Sequence, residues 1–457
     1  MMELSELDSH NCATAPQAVE NQPSEDPRGY ARLNRHSLFD DSYADLHTRP
    51  FPVSSIPLRV SHLSFLNEDK VSHAEELAHL RQLCRRYSIN PPAEGDSCFY
   101  QNFGEFEVRW ERHTEFSSYT FMMHGSGARP FEHPPIALIP ADWLQAIPGK
   151  VIAAVHIEAL EPGTEEVDRE KLRQYFEGQR LIGSELRNGA ATIWSAFRLH
   201  SDNFNRILLL NNTMNECQSG RMLRALLELE SYRNMMLLAF PVAQEVSSQV
   251  SQIEAQLAHL VRQISGARVA EDEPRQLSEL SDMAAAIAEL IARSRYRFDA
   301  GRAYYQMVQS RLDELEEQEI NELQTMASFI DRRLSPAYRT VEATKRRLDD
   351  LSARVDRASD FLRTRIDMAI EAQNQALLKS MDRRAQLQFR LQQTVEGLSV
   401  VVISYYIMAL FGYLLKAADS YIPGIDVART TALLVPVVLT TVWLLSRRLK
   451  SRLKRLE

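Results

Sequence analysis

Two uncharged apolar runs near the C-terminal end constrain this chain more than any other feature. Residues 398–415 (LSVVVISYYIMALFGYLL) continue for 18 residues without a charge, and residues 430–446 (TTALLVPVVLTTVWLLS) for 17. Each is close to the shortest helix that crosses a hydrocarbon core roughly 30 Å thick. Tyr405, Tyr406, Tyr413 and Trp443 supply the amphipathic rings that favour a membrane interface. The connecting residues 416–429 hold two bases and two acids, whereas the flanks are basic. Arg383, Arg384 and Arg390 precede the first run, and Arg447, Arg448, Lys450, Arg452, Lys454 and Arg455 follow the second. The positive-inside bias therefore predicts a two-pass membrane protein. Its 416–429 loop would lie across the membrane from the cytoplasm, with the N-terminus and the basic tail 447–457 in the cytoplasm. The opening MMELSELDSHNCATAPQ has neither a basic n-region nor an apolar h-region, so no export signal is expected.

Charge then limits the partners. The chain carries a net −8, yet its last eleven residues hold six bases and one acid, so the body is more acidic than the average. Nucleic-acid binding needs cationic charge spread over a face that meets phosphate, so none is expected. The expected partners are the bilayer, further copies of the chain, and a protein whose identity the sequence does not supply. Cys12, Cys84, Cys98 and Cys217 include no CxxC pair, which argues against a zinc ribbon or a disulfide framework.

Residues 1–40 are rich in Ser, Pro, Asn and acids without periodicity and read as a disordered leader. Residues 41–213 read as a cytosolic α+β domain, a mainly antiparallel sheet with helices on one side. Residues 58–66 alternate as a strand, and 72–87 have helical spacing. In 105–113, Phe106, Val108 and Trp110 share one face, while Glu105, Glu107, Arg109, Glu111 and His113 share the other. A return strand is expected at 118–123. A strand at 151–160, a helix at 166–176 and strands near 191–199 and 204–210 then repeat the order, as a duplicated β-α-β-β unit would.

Residues 214–396 read as long helices. Val246, Val250, Ile253, Leu257, Leu260 and Ile264 step by alternating fours and threes. So do Ile291, Ser294, Phe298, Gly301, Tyr305, Val308, Leu312 and Leu315, and then Val341, Thr344, Leu348, Leu351, Val355, Ala358 and Leu362. Such seams predict coiled-coil helices and, through them, self-association. Breaks are expected near 266–275 (GARVAEDEPR) and at Ser335-Pro336, where a cap and an N1 proline would start a fresh helix. Residues 337–396 would then form a stalk of about 90 Å leading into the first apolar run.

No GxxxxGK[ST], GxSxG or HExxH occurs, and the residues indicate no catalytic group and no cofactor. The metal candidates are Glu111, His113 and Glu115, but alternate residues on a strand stand roughly 6.5–7 Å apart. One ion would need a further ligand, such as His47 or His62. His156, within the apolar VIAAVHIEAL, is expected as a satisfied core histidine.

Several stretches carry a resemblance. His47-Thr48-Arg49-Pro50-Phe51, Arg59-Val60-Ser61-His62-Leu63 and Trp110-Glu111-Arg112-His113-Thr114-Glu115-Phe116 are similar to motifs of a bacterial membrane-anchored family, domain of unknown function family 3422. The same holds for Leu227-Glu228-Leu229-Glu230-Ser231-Tyr232-Arg233 and Phe411-Gly412-Tyr413-Leu414-Leu415-Lys416. The resemblance implies a layout, not an activity, so the roles of these motif residues stay open. The layout also resembles that of CorA-type magnesium channels. The Gly-Met-Asn motif of that family is absent, its place being taken by Leu414-Leu415-Lys416-Ala417-Ala418-Asp419. The expectation is a non-enzymatic scaffold or sensor presenting the α+β domain at the membrane. The alternatives are an oligomeric cation channel or, using Glu111 and His113, a metal-dependent enzyme.

Overall fold

The alternating run at the front of the domain becomes β1 (Leu58–Leu66), and the remaining strands assemble around it. The computed structural model describes residues 54–67, 71–163, 168–266, 273–320, 323–419 and 427–453. After β1 come α1 (His73–Arg86), β2 (Cys98–Asn102), β3 (Glu107–Arg112), β4 (Phe116–His124) and α2 (Ala141–Gln145). Next are β5 (Lys150–Leu160), α3 (Arg169–Tyr175), β6 (Ile182–Leu186), β7 (Ala191–Ser195) and β8 (Asn205–Asn211). The helical part consists of α4 (Glu216–Leu237), α5 (Ala239–Gly266), α6 (Glu273–Leu315), α7 (Met326–Asp419) and α8 (Val427–Leu453), with β9 (Glu317–Glu319) between α6 and α7.

The nine described strands form one sheet in the order β2-β3-β4-β1-β5-β8-β7-β6-β9. Its pairings are antiparallel except β5 with β8, which makes the sheet mixed. Strand order recurs between the halves, β2-β3-β4-β1 and β6-β7-β8-β5. Strand direction does not: β1 is antiparallel to β4, whereas β5 is parallel to β8. The halves therefore do not repeat as a simple duplicated unit, and each contains one strand more than the sequence pattern showed.

Helices cover both faces of the sheet, not one. Leu58, Val60 and Leu66 of β1 join a core with Leu223, Leu226, Met235, Val308, Leu312, Ile330 and Leu334 from α4, α6 and α7. The alternate residues Leu63 and Phe65 join Leu77, Leu80 and Leu83 of α1 and Trp143 of α2. A third cluster packs α3 on β8 through Phe176 and Leu208. A central strand such as β1, buried along both faces, needs a layer on each side. Local chemistry fixes the helix starts: Ser72 with Glu75 and Asn215 with Gln218 form capping boxes on α1 and α4. Each is worth about 1 kcal/mol.

The expected break at Ser335-Pro336 is not there. Helix α7 begins at Met326 and carries Pro336 within it. The break falls instead at β9, where Glu316 takes a φ of +49°. The Glu317 carboxylate accepts from the backbone N–H of Met326 (3.2 Å) and Ala327 (2.7 Å), and Thr325 Oγ1 accepts from Ser328 N. These bonds satisfy the orphan donors of the first turn and start the helix there. Ile330, Leu334, Ala337 and Val341 are buried on both sides of Pro336. That packing offsets the roughly 3 kcal/mol a mid-helix proline costs.

The chain divides into two compact units. One runs to Val261 and includes Leu280–Asp356; the other comprises Arg262–Glu279 and the chain from Arg357. In the first, the heptad positions Val246, Val250, Phe298, Val308, Val341 and Leu348 are buried within a single chain. Arg347–Glu254 (2.7 Å), Arg302–Glu342 (2.8 Å) and Lys345–Asp299 (2.5 Å) tie α5, α6 and α7 together at the rims. In the second, Arg365 donates to Ile264 O and pairs with Glu273. Helices α7 and α8 each contain a stretch long and apolar enough to cross a membrane, with mean hydropathy 2.1 and 1.6, of which only 6% and 11% is buried.

Candidate functional site

Pairing register collects an unusual amount of polarity beneath α4. His62 faces Thr120, which faces Arg109 on the next strand, and Ser64, Ser118 and Glu111 form the adjacent row. Alternation along each strand puts both rows on the same sheet face. Helix α4 closes over them with Arg224, Glu228, Ser231 and Tyr232, whose spacing is one helical stripe. The enclosed cavity measures about 20 Å³ and is lined by both sets of residues, with His113 and Phe116 at one end. Such a space holds one water or a small ion.

His62 is the floor of the cavity. Its Nδ1 is 2.8 Å from Thr120 Oγ1, and its Nε2 is 3.2 Å from Ser64 Oγ and 3.1 Å from Ser231 Oγ. Ser64 and Ser231 hydroxyls lie 2.8 Å apart, and Ser231 Oγ donates to Leu227 O. Burial, with His113 and Arg109 nearby, lowers the imidazole to about 3. Burial that disfavours the charged ring makes it a weak proton acceptor, and its contacts with Thr120, Ser64 and Ser231 organise the three hydroxyls. Around it run ion pairs: Arg109–Glu111 (2.7 Å), Arg224–Glu228 (2.7 Å) and Arg311–Glu228 (2.5 Å). Tyr232 is pushed up to about 12 by burial and then by Glu228.

The motif residues divide by strand parity. His62, Glu111 and His113 reach this cavity, His113 stacking on Phe116 at 4.2 Å. Arg59 and Trp110 lie on the opposite face. Arg59 donates to Gly125 O and His133 O, pinning the loop after β4. Trp110 is fully buried beside His73. Glu115 sits in the turn between β3 and β4, where Arg297 of α6 pairs with it at 2.7 Å and Tyr304 and Tyr296 bond to it. Glu111, His113 and Glu115 therefore do not converge, and among the described residues no group of three His, Cys, Asp or Glu is placed to hold a metal. The polar face of β3 is covered, with the Arg109 side chain only 2% exposed.

His47, Arg49, Pro50 and Phe51 lie outside the described residues, as do the 1–40 leader, residues 420–426 of the 416–429 loop, and Lys454 and Arg455. Of the basic tail, Arg447 lies over the Trp443 ring at 5.2 Å, and Arg448, Lys450 and Arg452 continue α8. His156 is a bonded core histidine, 3.0 Å from Ser61 Oγ and stacked on Phe204. Sequence reasoning missed Arg109, Thr120, Arg224, Glu228, Ser231 and Tyr232 as site residues. The available signal was the spacing of the polar residues 224, 228, 231 and 232 along one stripe of α4.

The sequence matches the family profile described as "Protein of unknown function (DUF3422)" over residues 34–453. No curated protein and no solved structure matches the chain.

Proposed function

The chain belongs to the DUF3422 family, a membership that brings no reaction with it, and on that premise we propose a non-enzymatic scaffold or sensor at the bacterial inner membrane. The observation that supports this reading is helix α7. Near its start, Met326, Ile330 and Leu334 are part of the sheet-domain core, and the same helix ends in an apolar stretch that is almost wholly exposed. Tyr405, Leu410, Tyr413 and Leu414 there are each more than 60% exposed. Leaving a Leu-sized side chain in water forgoes about 2 kcal/mol of burial, so lipid is the natural surround for this segment and for its counterpart in α8. The basic flanks favour a cytoplasmic side for both chain ends.

The cavity fits a sensing role because its ion pairs reach the helices. Arg311 joins α6 to Glu228 of α4, and Arg302 joins α6 to Glu342 of α7. An occupant that competes for Glu228 would alter how α6 seats against α4 and, through α6, α7. Self-association would use α7 beyond the seams, which are already filled within the chain. Leu377, Met381, Leu391 and Val395 are exposed there at heptad-compatible spacing.

Carbonate washing of membranes and reporters fused to each terminus test the placement. The reading predicts retention of the chain and cytoplasmic signals at both ends; release, or a periplasmic signal, overturns it. In-cell cross-linking with mass spectrometry tests the scaffold role and should capture a second copy through residues 377–395. The continuity of α7 also suits an oligomeric cation channel with the CorA layout, in which Ser399, Gly412 and Tyr413 would face a pore. Liposomes holding the purified chain separate the two, because a scaffold passes no cation.

A further inference from the structure

A second cavity, of about 220 Å³, lies where the β6–β7 end of the sheet meets α4 and the beginning of α7, and shares no lining residue with the first. Its charge has one sign. Arg180, Arg198, Arg233 and Arg333 line it, and no carboxylate does so among the described residues. Glu230 pairs with Arg233 at 2.5 Å from outside the lining. The other three have no ion pair among the described residues.

Two of these guanidinium groups lie over aromatic rings. Arg333 lies 3.7 Å from the Phe329 ring centroid and Arg233 lies 5.3 Å from that of Phe197. The two rings stack on each other at 5.3 Å with 15° between their planes. Contact with a ring face uses no N–H donor; of these two groups, Arg333 also donates from Nη1 to Phe329 O (3.3 Å), its other donors being left to a ligand. Arg233 Nε is buried and lacks a hydrogen-bond partner. Phe197 also takes a φ of +47°, a conformation disfavoured for a bulky side chain, with its N–H bonded to Ser195 Oγ. The structure therefore gathers four like charges around one cavity, an arrangement that an anion relieves.

We propose that this cavity binds a compact oligophosphate, either free or as the phosphate group of a small molecule. Guanidinium forks match phosphate oxygens two at a time, and three uncompensated cations suit a polyanion better than a single carboxylate. At 220 Å³ the space is smaller than the roughly 300 Å³ at which whole drug-sized ligands are held, so the phosphates enter and the remainder of a larger molecule stays outside. This inference goes beyond the membrane-scaffold reading and rests on different residues.

The test is calorimetric titration of the full chain in detergent micelles with inorganic triphosphate, ATP and sulfate at constant ionic strength. Triphosphate is expected to bind at least about tenfold more tightly than sulfate, since each additional charge-assisted pair contributes about that factor. Arg198→Gln with Arg333→Gln should weaken triphosphate binding more than about tenfold. Arg180→Gln, at an exposed position before β6, gives an independent loss should the double variant misfold. Arg275→Gln, whose side chain is 81% exposed and paired with Glu279, makes the same charge change elsewhere and should bind as the parent does. ATP binding like triphosphate identifies the terminal group of a larger molecule, and triphosphate alone identifies the free anion; either supports the site. Equal affinity for sulfate and triphosphate, parent-like binding by the arginine variants, or an equal loss in Arg275→Gln overturns it.

Discussion

Replacing His62 by glutamine should remove a defined part of the acid sensitivity of the sheet domain. The ring titrates at 6.5 in an unfolded chain and at about 3 in the fold, where burial excludes the charged form. Because the folded value is depressed, the unfolded state binds more protons between those limits. The stability His62 confers is complete above 6.5 and is lost as the pH falls toward 3. Linkage between pH 7 and pH 5 amounts to about 2 kcal/mol, and the whole window to about 5 kcal/mol. At pH 7, His62→Gln itself should cost about 1–3 kcal/mol by disturbing the bonds to Thr120, Ser64 and Ser231. Urea unfolding followed by tryptophan emission reads the domain, because Trp110, Trp143 and Trp194 lie in it. His156, lowered to about 4, and Glu158, raised to about 7, titrate in the same range with opposite signs on the other sheet face. The informative quantity is therefore the parent-minus-variant difference, in which both cancel. It should shrink by about 2 kcal/mol from pH 7 to pH 5. A difference that stays constant refutes the argument that His62 is held neutral by burial.

Glu158→Gln should act at the other end of the scale. Burial raises this carboxyl from 4.5 to about 7, so its protonated form favours the fold at low pH and that stability is lost as pH rises through 7. The variant should be more stable than the parent at pH 8, by at most about 3 kcal/mol, and no difference there would place Glu158 in solvent. Gly301→Ala would put a Cβ 2.8 Å from Ala239 Cβ, where α6 meets the first turn of α5. A net loss of about 1–2 kcal/mol is expected in urea unfolding, since overpacking exceeds the gain in helix propensity, and an unchanged midpoint contradicts the close approach. Arg297→Ala should cost about 3 kcal/mol by leaving the Glu115 carboxylate, whose side chain is 10% exposed, without its cation. Adding Glu115→Gln should restore part of that loss in a double-mutant cycle.

Periodicity determined the elements and not their arrangement. The alternation of residues 58–66 is β1, and the four-three steps through Val246, Phe298 and Val341 mark positions that are buried. These patterns are local, set by the side-chain repeat of a strand or helix, and the apolar runs within α7 and α8 are legible for the same reason. Which strand neighbours which depends on contacts between residues far apart in the chain. That is why the helices on both faces, the parallel β5–β8 pair and the late strand β9 emerged only with the tertiary structure. Pro336 marks the same boundary: its local preference starts a helix, but Glu317 capping Met326 and the burial of Leu334 and Ala337 carry the helix through it. The motifs containing His62, Glu111 and Ser231 could be read as strings, but their meeting in one cavity could not. Strand register puts two of them on one sheet face with β4 between, and the docking of α4 brings the third from 169 residues away.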